Sequence, residues 1–176
     1  GTMSGPIRPF ERSLPMQLMR AREAVMARFR PHLNARNLSD QQWRIIRALS
    51  ETDALEIVEL SGRCCIHPAS LSRMLPALEQ EGLVKRHNHA RDQRRSVMSL
   101  TVRGRRLFRE MGPESEAIYA ALARDIGAAR LSQLYAMLDA LIATLEQPAI
   151  VNRKMRPRKT RVAKVASRAR SARSKR

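Results

Sequence analysis

The chain has 176 residues and a formal charge of +18, with 34 lysines and arginines against 16 acids. That length suits one domain with a real core, and the basic excess points to a polyanion, nucleic acid ahead of a membrane surface. Three phenylalanines, two tyrosines and one tryptophan are too few for the stacking platforms of RNA and single-strand binders, and no nucleophile–base pair, phosphate-cradling glycine loop or paired carboxylates mark an enzyme, so no catalytic residue is assigned.

Gly1-Thr2-Met3 reads as a cloning scar and residues 1–12 as a flexible arm carrying two prolines. Ser13 caps a first helix, with Pro15 in its first turn and an end near Asn34. Its apolar stripe is Leu14, Leu18, Ala21, Val25 and Phe29, and Arg22 falls inside that stripe. Ser39 caps a second helix from Asp40 to about Glu51, with Trp43, Ile46 and Leu49 pointing one way. A third, short helix is expected from Leu55 to about Arg63, burying Leu55, Val58 and Leu60. The fourth starts at Pro68 and stops at Gly82, with Leu71, Leu75 and Leu78 inward and His67, Ala69, Ser70, Ser72 and Arg73 outward. Pro76 lies inside it and should bend it.

Residues 83–87 and 96–100 read as two paired strands joined by a basic connection, Asn88 to Arg95. Thr101 caps a helix to about Met111, Gly112-Pro113 should break or kink it, and Pro113-Glu114 suits a fresh helix start running to about Ile126. The last helix spans Ala128 to about Glu146. There Leu131, Leu134, Leu138, Leu141 and Leu145 alternate three and four apart, a seam that wants a partner helix, in a second copy or within the monomer. Residues 147–176 hold 12 lysines and arginines and no acid, and read as a disordered basic tail.

Helices two to four with the strand pair make a winged helix-turn-helix, about 39–101, in a mainly α fold with a small two-stranded β wing. A reading helix needs short or reaching polar side chains on its open face to enter a major groove about 12 Å wide. His67, Ser70, Ser72 and Arg73 fit, and Pro68 and Ala69 can meet thymine methyls. The bland alternative is an ordinary amphipathic surface. In the wing, Arg91, Arg94 and Arg95 surround Asp92, which can lock the loop by pairing with Arg94 and leave a guanidinium for the minor groove.

Ser72-Arg73, Leu78, Gly82-Leu83-Val84, Asp92-x-Arg94 and Leu100-Thr101-x-x-Gly104, at this spacing, resemble the MarR family of bacterial regulators. The helical order from Ser13 to Glu146 is similar as well. Pro76 stands where that family more often has a basic or polar residue, so no phosphate contact is assigned there. The stretches from Ala21 to Leu33 and from Asp40 to Leu49 resemble the subgroup that represses operons for degrading aromatic acids such as homoprotocatechuate and nicotinate. The resemblance implies an obligate-type homodimer through helices about 13–34 and 102–146, a palindromic double-stranded operator, and a pocket for a small effector.

Arg22 is the leading effector candidate, because a guanidinium on an apolar face needs an anionic partner. An aromatic carboxylate can supply it, with Trp43 as a flat wall, Met19 nearby in the pattern, and His32 and Arg30 as further polar contacts; an internal pair with Glu23 or another acid, or a snorkelling stem, is the alternative. No other cofactor is expected. Two further readings stay open. Adjacent Cys64 and Cys65 raise a redox-sensing regulator, and the tail raises a less specific architectural DNA-binding protein. The four histidines are scattered and there is no CxxC, so no metal site is expected. No signal peptide and no apolar run near the ~20 residues of a membrane span are visible, which leads to a bacterial cytoplasmic, nucleoid-associated protein without membrane contact.

Overall fold

The computed structural model describes residues 5–146, so the scar at 1–3 and the basic stretch 147–176 lie outside the described residues. Six α-helices and three short strands are described. They are α1 (Leu14–Asn34), α2 (Asp40–Ser50), β1 (Leu55–Glu56), α3 (Ile57–Cys64), α4 (Pro68–Gln80), β2 (Val84–Asn88), β3 (Ser96–Leu100), α5 (Val102–Ile126) and α6 (Ala128–Glu146). The chain divides into two compact units, one to Leu131 and one from Ser132. Residues 5–12 are exposed, with one short turn of 3₁₀ helix at Phe10–Arg12.

Local chemistry sets most boundaries. The Ser13 hydroxyl accepts from the Met16 N–H at 3.2 Å and starts α1. At α2, Ser39 and Gln42 form a reciprocal capping box. Helix α4 begins at Pro68 and closes in a Schellman turn, with the Leu83 N–H donating to the Leu78 carbonyl and Gly82 at φ +70°. Pro76 stays inside a single helix through Gln80.

The core gathers the buried faces of α2, α3 and α4 around the sheet. Ile45, Ile46, Leu49, Leu60, Leu71, Leu75, Leu78 and Met98 are fully buried, each contributing roughly 1.5–3 kcal/mol of transfer free energy. The sheet has three antiparallel strands in the order β1-β3-β2, not two. Leu55 and Glu56, expected in a helix, pair with Met98 and Val97 as the third strand, and α3 starts only at Ile57. Val58, expected inside, is 77% exposed; with Leu55 in the strand, the buried row of α3 is Leu60, Ser61 and Cys64, spaced one and three apart, and Val58 falls away from that face.

The Gly112-Pro113 break does not occur. Helix α5 runs unbroken from Val102 to Ile126. Met111 and Ser115, buried on either side of Pro113, hold the turn in place against the proline's lost hydrogen bond. Its N-terminus shows why Leu100-Thr101-x-x-Gly104 has that spacing. The Thr101 hydroxyl donates to the Gly82 carbonyl at 2.5 Å and accepts from the Gly104 N–H at 3.0 Å. A Cβ on Gly104 would sit 2.1 Å from the Leu83 carbonyl oxygen.

Much apolar surface stays uncovered in the single chain. Of the expected α1 stripe, Leu14, Leu18 and Val25 are exposed, and Phe29 is buried. Helix α6 buries no residue: Leu131, Leu138 and Leu141 are half-exposed, and Leu134 and Leu145 are exposed.

Candidate nucleic-acid interface

Helix α3 ends in a left-handed residue, Cys65 at φ +51°, and three residues later α4 begins. The turn is secured by the Ser61 hydroxyl donating to the Ile66 carbonyl at 2.6 Å. His67 closes it: its Nδ1 accepts from the Ala69 N–H at 3.2 Å, so His67 is the N-cap of α4 as well as an exposed side chain. With Leu71, Leu75 and Leu78 anchored below, α4 presents Pro68, Ala69, Ser72, Arg73 and Pro76 to solvent, with Ser70 half-exposed. Arg73 forms no ion pair with another described residue. A helix presented by a three-residue turn, with small and reaching side chains outward, has the form that enters a major groove.

The wing loop, residues 89–95, is closed by the His89 N–H donating to the Arg95 carbonyl at 2.7 Å. Asp92 locks the turn through main chain, its Oδ1 accepting from the Arg94 N–H at 3.0 Å, so the Arg94 guanidinium is not its partner. Arg95 is instead held by Glu56 of β1, through Nε at 3.2 Å and through Nη2, and this bond favours its charged form further. Arg91 and Arg94 form no ion pair among the described residues. Arg86 of β2 reaches Glu79 of α4 at 3.3 Å and ties the wing base to the reading helix.

The effector candidates divide. Arg22 is surface-exposed and lies 3.4 Å from Glu23 and 3.8 Å from Asp40. Arg30 reaches the same two carboxylates at 2.8 and 3.0 Å, which gives a balanced cluster of two cations and two anions along an open groove of about 390 Å³. Hydrogen bonding from Arg30, with Arg22 nearby, holds the Glu23 carboxyl below its ordinary range. Met19 is exposed. Trp43 and His32 are buried and meet edge to face with ring centres 6.3 Å apart. His32 Nδ1 lies 2.9 Å from Glu114 Oε2, an ion-pair distance, but the carboxylate is off the hydrogen-bonding direction and neither ring nitrogen has an aligned partner.

The structure also brings together residues that sequence reasoning passed over. Phe108 lies 6.0 Å from Trp43, and Tyr119 meets Phe29 edge to face at 4.9 Å. Arg47, one turn after Trp43 on α2, donates to the Tyr119 hydroxyl at 3.3 Å and pairs with no acid among the described residues. It also lines a groove of about 440 Å³ with Arg44, Arg63 and Glu51. The i, i+4 spacing of Trp43 and Arg47 was the available signal. Cys64 borders that groove, and burial pushes its thiol pKa up, which lowers thiolate content. No group of three or more His, Cys, Asp or Glu among the described residues is placed to hold a metal ion, and no described helix is long and apolar enough to cross a membrane.

The model of the MarR family matches residues 38–96, the span from Leu38 to the start of β3. The regulator FarR of Neisseria gonorrhoeae is 41% identical over 129 residues, covering 73% of this chain and 88% of the relative. The chain belongs to the MarR family. Two further similar proteins sharpen the comparison. The homoprotocatechuate degradative operon repressor of Escherichia coli is 37% identical, over 74% of this chain and 88% of its own length. The crystal structure of NadR in complex with 4-hydroxyphenylacetate superposes with a TM-score of 0.66 at 39% identity, over 78% of this chain and 97% of that one. As a MarR-family member the chain is a DNA-binding transcriptional regulator and not an enzyme.

Proposed function

We propose that this MarR-family regulator is a homodimeric repressor that occupies a near-palindromic duplex site and leaves it when a small aromatic carboxylate binds beside Trp43. The observation that carries the effector half is Arg47: a guanidinium without an acidic partner among the described residues, one helical turn after Trp43 and 3.3 Å from the hydroxyl of Tyr119, whose ring meets Phe29 edge to face. Aromatic side chains with an unpaired cation one turn away supply the two contacts that a ring bearing a carboxylate needs. The E. coli repressor's name and the NadR complex support the same ligand class. The dimer half rests on the exposed apolar residues of α1 and α6, which a second copy would cover. Two-fold symmetry then places the α4 helices in successive major grooves, about 34 Å apart, with Arg91 and Arg94 at the flanking minor grooves.

A ligand releases the operator only by favouring a dimer whose reading helices are wrongly spaced, and coupling of about 1–3 kcal/mol is typical. The test uses the full chain, a labelled duplex enriched by it from a random pool, and 4-hydroxyphenylacetate as probe. The acid should lower fluorescence anisotropy for the wild type. Arg47→Ala should bind the duplex as before and need about tenfold more acid for release, as expected when one charged hydrogen-bond partner is lost. Arg22→Ala should release normally, since Arg22 already has Glu23 and Asp40. Loss of release in R22A with normal release in R47A would move the seat to the Arg22 groove.

A further inference from the structure

We infer that Glu56, on the two-residue strand β1, sets the aim of the wing and is therefore a positioning residue for sequence-specific DNA binding. One carboxylate sits at both feet of the wing loop, bonding one and neighbouring the other. It takes the Arg95 guanidinium through two separate oxygen contacts, and its Oε1 lies 3.7 Å from His89 Nε2. His89 and Arg95 are the residues whose main-chain bond closes the loop. The anchor is the firmer partner: the Glu56 side chain is 18% exposed and the Arg95 side chain 53%. Glu56 is fixed in turn by its register opposite Val97 and by its neighbour Leu55, which is in the core.

Between the two feet the loop is already stiffened. Asp92 accepts from the Arg94 N–H through its side chain and from the Arg95 N–H through its carbonyl. The direction in which Arg91 and Arg94 project therefore depends on how the feet are held. The Glu79–Arg86 pair secures the base of β2 but does not reach the loop. A half-buried carboxylate in a two-pronged bond to a guanidinium is more than an ordinary surface ion pair.

The sign of the effect separates positioning from charge. An acid beside a basic loop repels phosphates, so on charge alone its removal should tighten binding to every duplex. As a clamp, its removal should weaken the sequence-specific complex and leave unspecific binding intact, because a mobile wing still carries its charge. The inference rests on the wing touching DNA, as proposed above, and not on the effector.

The test measures the anisotropy of the full chain on two probes, the duplex enriched by the wild type and a shuffled duplex of equal length and composition. Glu56→Gln should bind the enriched duplex about tenfold more weakly and the shuffled duplex no more weakly, with an unchanged melting curve. The Glu56→Gln, Arg95→Gln double variant should be no weaker than the weaker single variant, since both break one clamp. Tighter binding to both probes, equal loss on both, or additive losses in the double variant would overturn the clamp. Arg94→Ala binding the enriched duplex like the wild type would sink the wing reading itself, an outcome that E56Q alone cannot mimic.

Discussion

At the scale of single residues, two helical glycines show how a close contact overrules intrinsic preference. Replacing glycine by alanine inside a helix gains up to about 1 kcal/mol. Gly62, in α3, has open space where a Cβ would go, so Gly62→Ala should raise the melting temperature. Gly104 is in α5, but there the Cβ would lie 2.1 Å from the Leu83 carbonyl oxygen and 3.1 Å from Leu100 Cδ2. That contact is with backbone and cannot be relieved by a rotamer change. Gly104→Ala should cost about 2 kcal/mol or more despite the better helix former. Thermal melts of the two variants should move in opposite directions, and a rise for both would refute the packing account. Thr101 points to the same pressure, since it spends one hydroxyl on both the preceding turn and the α5 cap.

At the scale of elements, what was legible followed from how local the signal is. Ser39, Pro68, Gly82 and Thr101 act within their own turns, and the helix ends they imply are where the structure has them. Leu55 and Glu56 are strand only because Met98 and Val97 lie beside them, and two residues carry no periodicity to detect. Pro113 reads as a breaker because its cost is local, and the burial of Met111 and Ser115 that offsets it is not. For the same reason Glu56 and the Arg47–Tyr119 contact, which join residues 39 and 72 apart, could not be paired from sequence. The joint between α1 and α2 carries a prediction of its own. Arg30 grips Glu23 from α1 and Asp40 from α2, and the Glu23 carboxyl is held below its ordinary pKa. Its folded value is lower than its unfolded one, so the stabilisation is present above the ordinary carboxylate pKa and fades as pH falls through the lowered value. Glu23→Gln should therefore lose melting temperature near neutrality and approach the wild type as the pH falls through the lowered value. A gap that stays constant across that range would show that the charge plays no part.

At the scale of the whole molecule, we propose that the charge is divided between two jobs. Residues 147–176 carry 12 of the 34 basic residues without one acid, whereas the cations of the wing and α4 are placed by specific partners or left open on the reading face. Cations set along a chain with no acid among them attract phosphates of any sequence, and each phosphate neutralised steepens the salt dependence by nearly one unit on a logarithmic plot. Contacts aimed by α4 and the wing would instead distinguish sequences through base edges and groove shape. Truncation after Glu146 should accordingly weaken binding to the enriched and shuffled duplexes by the same factor and flatten the salt slope for both, while their affinity ratio holds. The measurement is Kd against salt for both probes with full-length and truncated chains. If the ratio collapsed on truncation, the basic stretch would be taking part in sequence reading and the division of labour would be wrong. If slope and affinity stayed the same, those charges would not be meeting phosphate at all.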